Sequence, residues 1–195
     1  PIESRIEQPC PVCDSDVGLT MMAHTSEIPY FGEHTQLTIL CDSCGWKHTD
    51  FIPAEGSKPG GWSLEVNSPE HMSARVVRSS SCTVRLLGLG LEASPGNSSS
   101  GYISNIEGVF NRFEEVIRML QRQAGDAGAA EQCEALLREI KSIRAGQGSV
   151  ELVLLDPMGH SQILHDDANP RELTEDELSE LQTGPSVPVY DTDDF

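Results

Sequence analysis

The chain has 195 residues, of which 37% are hydrophobic, and this suits one large domain or two small domains with a packed core. Its 31 acidic residues against 13 basic ones give a formal net charge of −18, which repels nucleic-acid phosphates and anionic lipid head groups. No stretch approaches the roughly 18 apolar residues that cross a bilayer, and no apolar signal-peptide core follows the first residues. We therefore expect an intracellular, cytoplasmic protein that does not bind membranes and is not a general nucleic-acid binder.

The basic residues are unevenly chosen, because ten of the 13 are arginines and only Lys47, Lys58 and Lys141 are lysines. An acidic, lysine-poor surface is what we expect of a protein in concentrated salt, where screening removes the self-repulsion of so large a charge. The composition therefore favours a halophilic archaeal source. An ordinary acidic protein with a charged tail is the alternative, but the three aspartates between residues 191 and 194 are too few to explain −18.

Two Cys-x-x-Cys pairs stand near the start of the chain, Cys10 with Cys13 and Cys41 with Cys44. Each pair offers two thiolates from one tight turn, and two such turns complete the tetrahedral shell of a structural zinc ion. Four cysteine ligands leave no position for water or substrate, so the pattern predicts one structural Zn²⁺ and no zinc catalysis. A redox dithiol and an iron–sulfur cluster are the alternatives.

The residues near the second pair fit a metal site. Gly45 can take a positive φ, which lets backbone N–H groups point at the sulfurs, and Lys47 and His48 are placed to screen the negative charge of four thiolates. Cys82 and Cys133 stand alone in apolar contexts, and we expect neither of them to bind the metal.

A small β module is predicted around the cysteine pairs. The 27 residues between Cys13 and Cys41 exceed the usual linker, so we expect a hairpin there. Strand-like runs cover residues 19–26, 36–40 and 46–51.

The loop Ile28-Pro29-Tyr30-Phe31-Gly32-Glu33 has apolar side chains where a polar turn is usual. These side chains either pack on the finger or face a partner, since large aromatics in a rigid loop are typical interface anchors. The zinc ligands on both sides are expected to hold the loop rigid. The candidate partner-binding residues are Ile28, Pro29, Tyr30, Phe31 and Glu33.

A second, mainly β domain is expected after residues 57–61, Ser-Lys-Pro-Gly-Gly, which mark a boundary. Short strand-like runs separated by Ser, Pro and Gly have the rhythm of an antiparallel barrel or sandwich. These runs cover residues 62–66, 74–78, 82–87 and 89–92, and further strands are predicted at 149–155 and 161–165.

Two amphipathic stripes predict a helical hairpin at about residues 106–145, inserted between strands. The first stripe consists of Ile106, Val109, Phe110, Phe113, Val116, Ile117 and Leu120, and the second of Cys133, Leu136, Leu137, Ile140 and Ile143. Thr174 and Glu177 form a capping box for a short helix to about residue 182. The predicted division is a zinc-finger module at 1–56, a β domain at 57–185 and an acidic tail at 186–195.

These residues resemble the ZPR-type zinc-finger proteins, which occur as one unit in archaea and as a tandem duplicate in eukaryotes. The resemblance rests on the two cysteine pairs, the loop 28–33, the Arg-Val-Val-Arg-Ser run at 75–79, the Ile-Glu-Gly element at 106–108 and the Leu-Val-Leu-Leu-Asp-Pro-Met-Gly run at 152–159. It extends from residue 10 to about residue 165. The chain is similar to the single-unit archaeal form.

The resemblance implies a mainly β fold with an α insertion, in which a ribbon-like zinc finger precedes a domain similar to a double-stranded β-helix. It also implies a non-enzymatic factor that binds a translation elongation factor GTPase of the elongation factor one-alpha type and assists its folding. By the same resemblance, Cys10, Cys13, Cys41 and Cys44 are the zinc ligands, and the loop 28–33 faces the partner.

Two other functions remain open. The first is contact with RNA or the ribosome through Arg75, Arg78 and Arg85. The second is a metal-dependent enzyme in the β domain, because double-stranded β-helix folds elsewhere bind metals with two histidines and a carboxylate. The nearest candidate for such a site is His165-Asp166-Asp167, although its order is unusual and a strand ends there. The oligomeric state does not follow from the sequence.

Overall fold

A computed structural model describes residues 2–29, 31–54, 58–96 and 99–183. The predicted acidic tail and Tyr30 lie outside the described residues. None of the helices in the described part of the chain is long and apolar enough to cross a membrane.

The first sheet contains four antiparallel strands in chain order, and we call this sheet with its two cysteine turns the finger. Its strands are β1 (Ile2–Ile6), β2 (Leu19–Ile28), β3 (Gly32–Cys41) and β4 (Lys47–Pro53). The predicted hairpin between the cysteine pairs is confirmed as β2 and β3, which pair over ten residues. Strand β1, which the sequence pattern does not predict, pairs with the zinc-proximal half of β2.

Eight strands form two further antiparallel sheets that we call the sandwich. One sheet has the order β12-β5-β10-β7-β8 and the other the order β11-β6-β9. The strands are β5 (Gly60–Val66), β6 (Arg75–Arg78), β7 (Thr83–Leu87), β8 (Leu91–Ala93), β9 (Tyr102–Asn105), β10 (Val150–Asp156), β11 (Gln162–Leu164) and β12 (Asn169–Glu172). Strands β9 and β12 were not predicted. Proline at position 170 suits an edge strand such as β12, where one N–H needs no ladder partner.

The predicted helical hairpin is confirmed as α1 (Ile106–Gln123) and α2 (Ala127–Arg144), inserted between β9 and β10. Each helix has an N-cap side chain: Asn105 accepts from the Gly108 N–H, and Asp126 accepts from the Ala129 N–H, both at 2.8 Å. A third helix, α3 (Glu175–Glu180), has the predicted capping box between Thr174 and Glu177.

One hydrophobic core joins both sheets of the sandwich and the helical hairpin. Helix α1 contributes Ile106, Val109, Phe110, Phe113 and Ile117, and α2 contributes Ile140 and Ile143. The two remaining members of the predicted α1 stripe, Val116 and Leu120, are about half exposed, at 51% and 50%. The periodicity therefore predicted the helix correctly but overestimated how much of it the core covers.

A buried carboxylate connects three segments of the sandwich. Asp156, at the end of β10, is 1% exposed. It accepts hydrogen bonds of 2.6–3.0 Å from the hydroxyls of Ser79, Ser81 and Ser161 and from the N–H groups of Met158 and His160. Because a buried charge needs such donors, the runs 75–79 and 152–159 are held together at one point.

The finger rests on the sandwich through β4. The Thr49 carbonyl accepts from the Gly101 N–H at 2.6 Å, and the Thr49 N–H donates to the Ser100 hydroxyl at 2.7 Å. The Asp50 carboxylate accepts from the Ser80 N–H at 2.9 Å and from the Ser80 hydroxyl at 2.6 Å. We call this set of contacts the seam.

Gly101 has no room for a side chain at the seam. A Cβ atom there would lie 2.9 Å from the Asp50 carboxylate, 3.1 Å from the Arg78 carbonyl and 3.2 Å from the Phe51 ring. We expect Gly101→Ala to lower the free energy of unfolding by about 1–3 kcal/mol, because the finger and the sandwich must separate to admit the methyl group. Urea unfolding of the zinc-loaded protein measures this loss.

Gly125→Ala is the matched control, since nothing lies within 4 Å of a Cβ at Gly125. Its unfolding free energy should stay within about 0.5 kcal/mol of the wild type. Equal losses in the two variants would show that close packing at the seam is not the cause.

Candidate functional site

The four cysteines of the two pairs meet at the end of the finger that lies far from the β2–β3 turn. Their sulfur atoms all lie within 4.8 Å of one another. Sγ of Cys10 is 3.7 Å from Sγ of Cys44, and Sγ of Cys13 is 3.7 Å from Sγ of Cys41. A tetrahedron with Zn–S bonds of about 2.3 Å has edges of about 3.8 Å, so the arrangement fits one zinc ion.

The two cysteine turns are built alike. The Asp14 N–H donates to the Cys10 carbonyl and the Gly45 N–H to the Cys41 carbonyl, each at 2.9 Å. The residue after each second cysteine has a positive φ, 51° at Asp14 and 73° at Gly45. The expectation for Gly45 is therefore confirmed, and Asp14 is its counterpart, since Asp is among the few non-glycine residues that tolerate this conformation.

Backbone N–H groups favour the thiolate form of Cys41 in the second turn. Hydrogen bonds from the backbone of Cys44, and then of Ser43, lower the pKa of the Cys41 thiol to about 7, although burial opposes this. A thiolate is the form that binds zinc. Cys82 lies in the sandwich core, and there burial raises the pKa of its thiol to about 12, so it stays protonated away from the metal site.

The position of His48 does not support the expectation that it screens the charge of the thiolates. His48 is 1% exposed, and its ring stacks on Trp46 with 5.9 Å between centroids. Burial lowers the pKa of His48, and the Asp50 carboxylate and the Ser99 backbone only partly oppose this. His48 is therefore a neutral side chain between the metal end of the finger and the seam, and Lys47 is the exposed cation.

The loop 28–33 lies at the opposite end of the finger from the metal. Leu19 pairs with Cys41 at the metal end of the hairpin and Ile28 pairs with Gly32 at the other end, about 30 Å away at about 3.3 Å per residue. The zinc ion therefore does not hold this loop rigid, contrary to our expectation. Instead, Ile28 is buried in a cluster with Phe51 and Val77 at the seam.

The other candidate residues of this loop differ in exposure. Pro29 and Glu33 are exposed, and Phe31 is half-buried against the same cluster, with its ring edge-on to His34 at 5.9 Å. Glu33 lies opposite Glu27 in the β2–β3 ladder, so two carboxylates share the tip of the hairpin.

A second group of possible ligands contains His71, His165 and Asp167, whose ligand atoms lie within 4.8 Å of one another. Nε2 of His71 is 3.2 Å from the Asp167 carboxylate, while Nδ1 of His71 accepts from the Asn67 N–H and Nδ1 of His165 from the Asp167 N–H. These acceptor roles put the His71 proton on Nε2, the atom that would otherwise face a metal. The group is thus satisfied as a hydrogen-bonded His–Asp pair.

The three arginines considered for RNA contact are not gathered on one surface. Arg78 is buried, Arg85 forms an ion pair with Glu92 at 2.6 Å, and Arg75 is exposed on β6 in the other sheet. A basic patch for phosphates requires several exposed cations together. This geometry does not favour the RNA alternative.

The fold and site together define a class: a four-cysteine zinc finger followed by a β-sandwich with a helical insertion. The model of the ZPR1 jelly-roll domain matches residues 70–182. A ZPR1-like protein of Methanocaldococcus jannaschii is 34% identical over 175 residues, covering 90% of this chain and 88% of that protein. The chain belongs to the ZPR1-like family. A ZPR1-like protein of Pyrococcus horikoshii is 33% identical over 183 residues, covering 92% and 82%.

Eukaryotic relatives are longer. The zinc finger chaperone zpr1 of Schizosaccharomyces pombe is 26% identical over 163 residues, covering 79% of this chain but only 34% of that protein. Zinc finger protein ZPR1 of Homo sapiens is 28% identical over 162 residues, covering 35% of its length.

We expect metal analysis to find one zinc ion per chain. The Cys41→Ser variant should lose this ion, because only three of the four thiolate ligands would remain. Cys133→Ser is the matched control, since Cys133 packs against the sandwich core and should leave the zinc content unchanged. Two ions per wild-type chain, or full zinc content in Cys41→Ser, would contradict the assignment.

Acid should weaken the folded state through His48. Its pKa is lowered in the folded protein, so the unfolded chain binds more protons below its ordinary value of 6.5. Stability is therefore full above that value and falls as the pH is lowered from 7 toward 5.5. We expect His48→Phe to reduce this loss in urea unfolding, with zinc content monitored throughout. His24→Phe, at an exposed position of β2, is the control, and an equal change there would refute the role of His48.

Proposed function

We propose that this chain is a zinc-stabilised binding and folding factor for a translation elongation factor GTPase of the elongation factor one-alpha type. The observation that carries the proposal is the match to a relative named as a zinc finger chaperone. The closed Cys₄ shell supports it, because four thiolates leave the metal no open position for catalysis and give it a structural role.

The partner-facing surface in this proposal is the tip of the β2–β3 hairpin. The tip projects Pro29 and Glu33 into solvent, with Tyr30 and Phe31 between them in the chain. Ile28 anchors the tip to the seam, so the exposed residues are pre-positioned and lose little entropy on binding. Glu27 and Glu33 make the tip acidic, which fits a basic surface on the GTPase.

The proposal also includes the setting in which the protein works. A net charge of −18 with only three lysines suits the cytoplasm of a halophilic archaeon. Binding experiments are therefore best run both in dilute buffer and in molar KCl.

The test is a titration of the zinc-loaded chain with the elongation factor GTPase of the same organism, alone and during refolding from denaturant. We expect saturable binding and a higher yield of active GTPase. Tyr30→Ala combined with Glu33→Lys should weaken binding about tenfold or more, while zinc content and melting stay unchanged.

Glu65→Lys is the matched control, because Glu65 is an exposed carboxylate on β5 of the sandwich and lies outside the tip. It makes the same charge reversal and should bind as the wild type does. Failure of the wild type to bind the GTPase would overturn the proposal. Unchanged binding by the tip variant would move the interface elsewhere.

A further inference from the structure

A cavity of about 320 Å³ opens beside α1, between that helix and strands β7 to β9. Most of its wall is apolar, with Val84, Val109, Phe113 and Val116 among the lining residues. Two arginines, Arg78 and Arg112, also line it. An apolar pocket with a few polar groups is the usual form of a binding site.

Arg112 is held at this cavity by contacts that leave some of its guanidinium N–H groups available to a ligand. Its guanidinium lies over the Tyr102 ring, 4.0 Å from the ring centroid, and Nη1 donates to the Gly108 carbonyl at 3.0 Å. Stacking on an aromatic face fixes the guanidinium plane. Arg112 forms no ion pair with any carboxylate in the described ranges.

Arg78 places a second positive charge in the same wall. It is 8% exposed and donates to the Cys82 carbonyl, the Ser99 hydroxyl and the Ser100 carbonyl at 2.8–3.1 Å. None of these acceptors carries a charge, and Arg78 likewise lacks an ion pair within the described part of the chain.

The carboxylate of the cavity wall is already neutralised. Glu92 accepts from Ser94 at 2.7 Å and from Arg85 at 2.6 Å, and these contacts, Ser94 first, lower its pKa. Burial raises the pKa of Tyr102, so its hydroxyl keeps its proton. The cavity is therefore positive within a chain that carries 31 acidic residues against 13 basic ones.

The apolar surface continues from the cavity along α1. Val116, Met119 and Leu120 are 51%, 43% and 50% exposed, and they follow Arg112 at positions four, seven and eight. These spacings put the four side chains on one stripe of the helix. A small acid that fills the cavity would leave Met119 and Leu120 uncovered, whereas an extended chain would reach them.

We propose that this cavity and stripe bind a segment of a partner protein in which a large apolar side chain lies next to a carboxylate. The apolar side chain fills the cavity against Phe113 and Val116, and the carboxylate pairs with Arg112. Neighbouring residues of the segment cover Met119 and Leu120. The rest of the chain is strongly negative and repels acidic segments. The local positive charge at the cavity attracts them, so it favours a segment that carries a carboxylate at this position.

The probes are two pools of hexapeptides with mixed flanking residues, one with Phe-Asp at the centre and one with Phe-Asn. Binding to the zinc-loaded protein is followed by NMR shifts of backbone amides in residues 102–120. We expect the Phe-Asp pool to bind about fivefold or more tightly than the Phe-Asn pool. Arg112→Gln should abolish the preference, and Val116→Glu should abolish binding.

Arg122→Gln is the matched control, because it removes one positive charge from the same helix outside the cavity. It should bind as the wild type does, and zinc content and melting should be unchanged in all three variants. Equal binding of the two pools, or equal weakening by Arg112→Gln and Arg122→Gln, would overturn the proposal. So would 4-phenylbutyrate binding as tightly as the Phe-Asp pool, because a small acid would then be the occupant.

Discussion

The geometry of four sulfur atoms determines the first quarter of this protein. In the described part of the finger, the hydrophobic cluster near the metal end contains five buried residues, and two of these are the ligands Cys10 and Cys41. So small a cluster cannot offset the conformational entropy of four strands. Metal coordination therefore supplies the stabilisation, and it does so where β1, β2 and β3 converge.

The far end of the finger depends on a different interaction. There β4 meets the sandwich through backbone and carboxylate hydrogen bonds, and Ile28 and Phe51 share a cluster with Val77 of β6. The hairpin is thus supported by metal at one end and by the sandwich at the other. Its tip can carry exposed residues without a core of its own, which is what a binding role requires of it.

The sequence predicted those features that depend on local spacing. The cysteine pairs identified the metal site, the helical stripes identified the hairpin α1–α2, and Thr174 with Glu177 identified α3. Strand β12, Asn-Pro-Arg-Glu, contains no β-branched or aromatic residue, and β9 contains only Tyr102 and Ile103. The partners of both strands also lie far away in the chain.

The features that the sequence did not predict are contacts between segments that lie far apart in the chain. At the seam Asp50 accepts a hydrogen bond from Ser80, and in the sandwich the buried carboxylate of Asp156 accepts one from Ser79. Local composition predicts neither of these pairings. The loop 28–33 was recognised as unusual, but its distance from the zinc follows only from the length of the β2–β3 ladder. Likewise, the half exposure of Val116 depends on where the core ends across α1, because its neighbours Phe113 and Ile117 are buried while Val116 is not.

The segment 99–101 touches both halves of the molecule. Ser100 and Gly101 bond to Thr49 of the finger, while Ser99 lines the cavity and accepts from Arg78. Because one short stretch of backbone serves both contacts, a conformational change in this stretch would couple binding in the cavity to closure of the seam, and such a coupling is reciprocal. A cavity ligand that holds residues 99–101 in their present conformation would favour the seam, and opening of the seam would in turn weaken binding in the cavity.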